Sequence, residues 1–308
     1  MGSCAALLIA LLAAGLPSET GGIALPARGE LDYTYVILPL GLTEDRWVTA
    51  AEVRPTARAQ VHHVVVFLRE PESDWLRDVP PRQAWTPRGR TLPEKRQIGF
   101  TRSDILLVYT PGAGPLQLPP GMGKRIRAGS DLVLQIHYSP NGTAAIDRPQ
   151  VGLVFARQPP QFQVLTLQLH RDDIRIPPGE RDYRLTVTGS LPNDAWLIGM
   201  MPHLHLRGVG AEYRIVGPNG FYEPLLRVPA YDFYWQIDYR LAEPRLLKAG
   251  TRLQFEARWD NSANNPRNPD PAAEVEWGEQ SWEEMMVGFF DVAVPAHLDK
   301  RSFFLRER

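Results

Sequence analysis

The chain has 308 residues, 34 Lys and Arg against 35 Asp and Glu, a net charge of -1 and a pI near 6.7. That balance argues against nucleic-acid and acidic-lipid binding, both of which call for a basic excess. Its 29 prolines and 25 glycines are spread along the chain among many short apolar runs, the texture of a β-rich protein with many turns and not of a disordered one.

The N-terminus carries Ala5 to Leu16, almost wholly Ala and Leu, followed by a short polar stretch. The run is too short to span a bilayer comfortably and fits the core of a signal peptide. Residues 1–22 are therefore expected to be removed, leaving a periplasmic or secreted protein with no stable membrane anchor. Cys4, the one cysteine, lies in that segment. The mature chain would then have no disulfide, no thiolate metal site and no cysteine nucleophile, and any metal must be held by His, Met, Asp or Glu.

Leu31 to Leu40 and Asp45 to Val53 alternate with period two and read as strands. Gln60 to Leu68 is the densest strand signal of the first half. Residues 70–103 are polar and proline-rich and are expected to form a long loop with little structure of its own. Strands are expected again at Asp104 to Tyr109, Asp131 to Tyr138 and Val151 to Ala156, with Pro111 to Arg127 as a Gly/Pro-rich connection. Arg157-Gln158-Pro159-Pro160 reads as a domain boundary. Beyond it, strands are expected at Phe162 to Leu169, Asp182 to Thr188, Ala195 to Met201, Gly210 to Val216, Glu223 to Val228, Phe233 to Tyr239, Arg252 to Trp259 and Glu283 to Val294. This is the spacing of β-sandwiches. The expected fold is all-β, with one unit at 23–158, a second at 159–296 and a tail at 297–308.

Five of the seven histidines fall in three compact clusters, His62-His63, His137 and His203-x-His205, whereas His170 and His297 look incidental. On a strand, His203 and His205 point the same way. His62 and His63 face opposite sides of a regular strand, so both reach one metal only where the strand twists or ends, or through different ring nitrogens. With His137 they make a possible three-imidazole site, suited to Cu, Zn, Ni or Fe. Met285 and Met286 read as core residues or, for one of them, as a soft thioether ligand completing a His-His-Met set that prefers Cu(I). Glu283 and Glu284 are expected to be solvated acids at a strand start, with orienting a metal ligand as the alternative, and Asp260, Asn261 and Ser262 to stabilise a turn, with lining a cleft as the alternative.

In this order, the pieces Val61-His62-His63-Val64, Gln135-Ile136-His137-Tyr138, Pro202-His203-Leu204-His205 and Glu283-Glu284-Met285 resemble the type II, ascorbate-dependent copper monooxygenases, the family of peptidylglycine α-hydroxylating and dopamine β-monooxygenases. Tyr231-Asp232-Phe233-Tyr234-Trp235-Gln236 and the run Asp260 to Pro266 look like a bacterial branch of it. The resemblance implies two antiparallel, jelly-roll-like β-sandwiches with a copper on each, facing a cleft. It also implies that His62, His63 and His137 hold an electron-transfer copper, and that His203, His205 and Met285 hold a catalytic one. The cofactors implied are two copper ions per chain, with O2 and a reductant such as ascorbate as co-substrates, a small-molecule substrate and an external electron donor. Met285 is preferred to Met286 because the family's ligand directly follows the acidic pair.

The resemblance breaks at three positions. Where the amidating enzymes place an Arg, an Asn and a Tyr around the substrate carboxylate, this chain has Met201, Val287 and Phe289. These either line an apolar or aromatic substrate or simply pack the sheet. Two other classes stay open: a periplasmic copper store or electron carrier without oxygen chemistry, and an interaction module whose histidines are structural or bind zinc. A buried carboxylate without partners is strongly unfavourable. Incubation with a glycine-extended peptide, copper and ascorbate is therefore expected to yield no hydroxylated or amidated product by mass spectrometry.

Overall fold

The computed structural model describes residues 11–15, 21–29, 31–87, 105–278, 280–303 and 306–307. Among them there is no α-helix, and only two short 3-10 turns, Pro218–Gly220 and Lys300–Ser302, accompany the strands. No helix among them is long and apolar enough to cross a membrane. The protein is an all-β sandwich structure with predominantly antiparallel sheets. The expected signal segment and Cys4 lie outside the described residues except for 11–15 and 21–22. Leu11–Gly15 pairs antiparallel with Gln150–Phe155.

The chain divides into two compact units. One comprises Met1–Glu94, Asp104–Tyr109 and Gly114–Val164; the other comprises Lys95–Ser103, Thr110–Ala113 and Leu165–Arg308.

In the first unit one sheet runs Ala84–Trp85, Thr34–Pro39, Asp131–Tyr138, Val61–Arg69, Ile105–Tyr109. Strands Gln150–Phe155, Arg46–Arg54 and Met122–Ile126 lie side by side in another. Val36, Leu38, Val64, Val66, Leu132 and Leu134 from the first sheet share a core with Val48, Val53, Ile126, Val151 and Leu153. Burying each such side chain contributes about 1.5–3 kcal/mol. All nine residues of Val61–Arg69 are buried, which explains its nearly unbroken apolar sequence.

Its second face is covered by part of the stretch expected to be a structureless loop. Trp75 is buried there, edge-on to Phe67 and Tyr35, and Arg69 donates to Asp131 and to the carbonyls of Trp75 and Leu76. Polar and proline-rich composition concealed the apolar anchors within it. Residues 88–103 of that stretch lie outside the described residues. The connection expected from Pro111 to Arg127 contains strands Leu116–Gln117 and Met122–Ile126, separated by a turn in which Gly121 has a φ of +78°.

In the second unit one sheet runs Phe162–Arg171, Met286–Pro295, Ala195–His203, Tyr239–Leu247, and the other Tyr222–Val228, Gly208–Val216, Arg252–Trp259, Tyr183–Ser190. Leu165, Leu167, Leu197, Met200, Met286, Phe290 and Val292 pack with Tyr213, Leu253, Phe255, Ala257 and Trp259. The strand expected at Phe233 to Tyr239 is a turn. Asp232 accepts from the Tyr234 N–H through its side chain and from the Trp235 N–H through its backbone carbonyl. This local capping overrides the β-preference of the aromatics that follow. The strand instead begins at Tyr239 and tolerates Pro244 because it lies at the sheet edge.

Gly288 sits over the Phe255 ring, where a Cβ would lie 2.6 Å from Phe255 Cγ. Gly152 faces open space. Gly288→Ala is expected to destabilise the protein by about 1–3 kcal/mol through overpacking, while Gly152→Ala stays near neutral. Urea unfolding of the two variants checks this.

Candidate metal centres

The pairing of Asp131–Tyr138 with Val61–Arg69 sets His137 opposite His63 and Tyr138 opposite Val61. His62 is thus an extra residue, a β-bulge. A bulge re-aims the side chain of the inserted residue, so two adjacent histidines turn toward one point instead of facing opposite sides. The three rings form a near-equilateral set with centroids 5.1 to 5.2 Å apart and mutual tilts of 69 to 71°. His62 Nδ1 and His63 Nδ1 are 3.0 Å apart, and one nitrogen from each of the three rings lies within 4.8 Å of the others. All three histidines are buried, and the buried Tyr33 ring lies 5.0 Å from His137 and 5.7 Å from His63. A metal about 2 Å from each imidazole nitrogen fits between donors at the His62–His63 spacing. The set offers nitrogen only.

In the second unit His203 ends its strand, paired with Val287. His205 follows in a tight turn closed by the Gly208 N–H donating to the His205 carbonyl. Gly208 is required there, since a Cβ would lie 2.7 Å from Leu204 Cβ. The Leu204 peptide, between the two histidines, is held at both ends by Tyr231, whose hydroxyl accepts from Leu204 N and donates to Leu204 O.

Glu284 corrects the expectation of a solvated acid. It is fully buried, and its carboxylate accepts from the backbone N–H groups of His205 (2.9 Å) and Arg207 (2.7 Å) and from the Trp259 indole (2.8 Å). Burial pushes its pKa up to about 7 against the downward pull of these donors. Arg207, also buried, donates from Nε to Asn261 and from a terminal nitrogen to the Trp282 carbonyl. Asn261, expected to stabilise a turn, is buried and donates to the carbonyls of Pro177 and Ala273.

Hydrogen bonding settles which imidazole nitrogens are presented. Gln236 Nε2 donates to the Phe233 carbonyl (2.9 Å), so its Oε1 is the atom 2.7 Å from His203 Nδ1. An amide oxygen can only accept, which puts the proton on Nδ1 and leaves the lone pair on Nε2. His205 Nδ1 faces the Glu283 carbonyl at 3.3 Å, with the same consequence. Desolvation lowers the His203 pKa and keeps the ring neutral. The two rings are 5.3 Å apart and nearly perpendicular.

Along Met286–Pro295 the even positions Met286, Phe290, Val292 and Val294 enter the core. The odd positions face the other side, the side of His203. Val287 lies opposite His203, Phe289 lies opposite Met201, and the Phe289 ring is 6.4 Å from the His203 ring. Met286 is therefore a core residue. Met285, half-buried, lies one step before the strand and directly follows the acids that touch His205.

The structure thus gathers His62, His63 and His137 in one unit, and His203, His205, Met201, Val287 and Phe289 in the other. Sequence reading did not assign Gln236, Tyr231, Arg207 or Trp259 to the site. Gln236 and Tyr231 belong to the run Tyr231 to Gln236, which no spacing rule ties to the histidines.

No family model and no curated protein matches the chain. Among solved structures it is similar to the major capsid protein P2 of bacteriophage PM2, at 9% identity over 93% of this chain and 98% of that one, with a TM-score of 0.33. It is also similar to a chain of infectious bursal disease virus Gt strain, at 8% identity over 99% and 76% of the two chains, with a TM-score of 0.25. These likenesses are too weak to carry an argument.

Gln236→Leu removes the acceptor that orients His203. It is expected to lower metal affinity at His203–His205 by about 10–100-fold and leave the three-histidine centre unchanged. Competitive metal titration of the two centres checks this.

Proposed function

We propose that the protein is a copper-dependent monooxygenase that hydroxylates a C–H bond of an apolar or aromatic small molecule, using O2 and an external one-electron reductant such as ascorbate. The observation that carries this reading is the chemical contrast between two pre-organised imidazole clusters. One offers nitrogen alone. The other offers two Nε2 lone pairs, and the half-buried thioether of Met285 directly precedes the strand that pairs with His203. Nitrogen ligands suit copper in both oxidation states, whereas a His-His-Met set favours Cu(I). Copper bound at these centres would supply electron transfer at the first and O2 activation at the second.

The chain's own contribution is positional. Gln236 and the Glu283 carbonyl keep the Nδ1 protons in place, so that the lone pair of His203 and of His205 is on Nε2. Burial lowers the His203 pKa, which favours the neutral ring that a metal ligand needs. Val287 and Phe289 lie on the sheet face of His203, with Met201 paired to Phe289, which supports an apolar or aromatic substrate and disfavours a carboxylate. The N-terminal apolar run alone supports a periplasmic or secreted setting.

Copper loading of the purified chain, with paramagnetic resonance before and after ascorbate, tests the proposal. The expected result is two coppers per chain, nitrogen-rich signals that vanish on reduction, weaker Cu(I) binding at one centre in Met285→Ala, and ascorbate-driven O2 uptake above free-copper background. One copper or none would overturn the reading. Two coppers without O2 uptake would replace it with an electron carrier or copper store.

A further inference from the structure

We infer that Glu284 is the positioning residue that makes the His203–His205–Met285 centre selective for a soft metal, by locking the histidine turn to the methionine segment; this rests on the copper reading of that centre. Its carboxylate joins three separate parts of the fold: the backbone N–H groups of His205 and Arg207, the indole of Trp259, and its own strand entry. Its backbone is tied as well, with the N–H donating to Glu276 O and the carbonyl accepting from Gly278 N–H. The residue before it places a carbonyl on His205 Nδ1, and the residue after it is Met285, whose N–H lies 3.4 Å from Glu284 Oε2. Residue 283 therefore meets the His205 ring and residue 284 the backbone of its turn, and Met285 follows directly in the chain.

A thioether is a weak ligand, and it selects the metal only when its segment is already held beside the imidazoles. Tyr231 on Leu204 and Asn261 on Arg207 restrain the turn as well. Glu284 binds the turn through its carboxylate and is the chain neighbour of Met285. The chemistry also calls for an acid. Three N–H donors converge on two oxygens, and an amide at this position would set its NH2 against at least one of them.

The test uses the full copper-loaded chain, with X-ray absorption at the copper edge of the reduced protein and Cu(I) competition against bicinchoninate. Glu284→Gln is compared with Trp259→Phe, which removes one donor but leaves the carboxylate on both backbone segments. Glu284→Gln is expected to lose the copper–sulfur shell and about tenfold or more in Cu(I) affinity at this centre, with the three-histidine centre unchanged. Trp259→Phe is expected to unfold at lower temperature yet keep the sulfur shell. Hydrogen exchange on the metal-free wild type, which does not depend on the variant folding, should show the His205 and Arg207 amides strongly protected. A Glu284→Gln protein that keeps its sulfur shell, or rapid exchange of those two amides, would overturn the inference. A wild type with no sulfur shell would overturn the copper reading of the centre itself.

Discussion

A β-strand offers its side chains only two faces, and both candidate centres depend on where that alternation is kept and where it is broken. At Met286–Pro295 it is kept. Even positions fill the core, and odd positions line the face of His203. At His62 it is broken by one inserted residue, and the break turns two neighbouring imidazoles toward the third. Neither arrangement survives a one-residue slip, because such a slip exchanges the faces of a whole strand. The well-filled cores behind both strands hold the register.

The two centres differ in how their nitrogens are prepared. In the first, three buried rings crowd one another with two Nδ1 atoms 3.0 Å apart, and a buried tyrosine lies against two of them. In the second, each ring has its Nδ1 against an oxygen acceptor, so the lone pairs are sorted before any metal arrives. The first is a nitrogen cage. The second is a pair of imidazoles, each oriented by an acceptor on its Nδ1.

Around the second centre the protein tolerates a buried acid, a buried guanidinium and a buried amide together. Isolated, each would be costly to bury. Here Glu284 receives backbone and indole donors while Arg207 and Asn261 satisfy each other and nearby carbonyls. Such a network contributes less to net stability than to uniqueness, since breaking one partner leaves a charge or dipole buried without its complement. It gives the His205 turn one conformation.

Apolar runs punctuated by turns sufficed for the all-β class, and the clustering of five of seven histidines sufficed to single out the candidate ligands. Both are local signals, carried by neighbours in sequence. Other features were decided only in three dimensions. The bulge at His62 depends on the register with a strand some seventy residues away, which no local pattern encodes. The separation of Met285 from Met286 depends on which face of one strand meets Phe255 and the rest of the core. Glu284 read as a surface acid because its partners, the His205 turn and Trp259, are far off in the chain. Gln236 lies 33 residues from the imidazole that it orients, in a turn whose aromatic residues read as a strand. Sequence determines which chemical groups are present and which local elements they favour. The long-range packing of strands decides which groups meet, because hydrogen bonds and core contacts act through space and not along the chain.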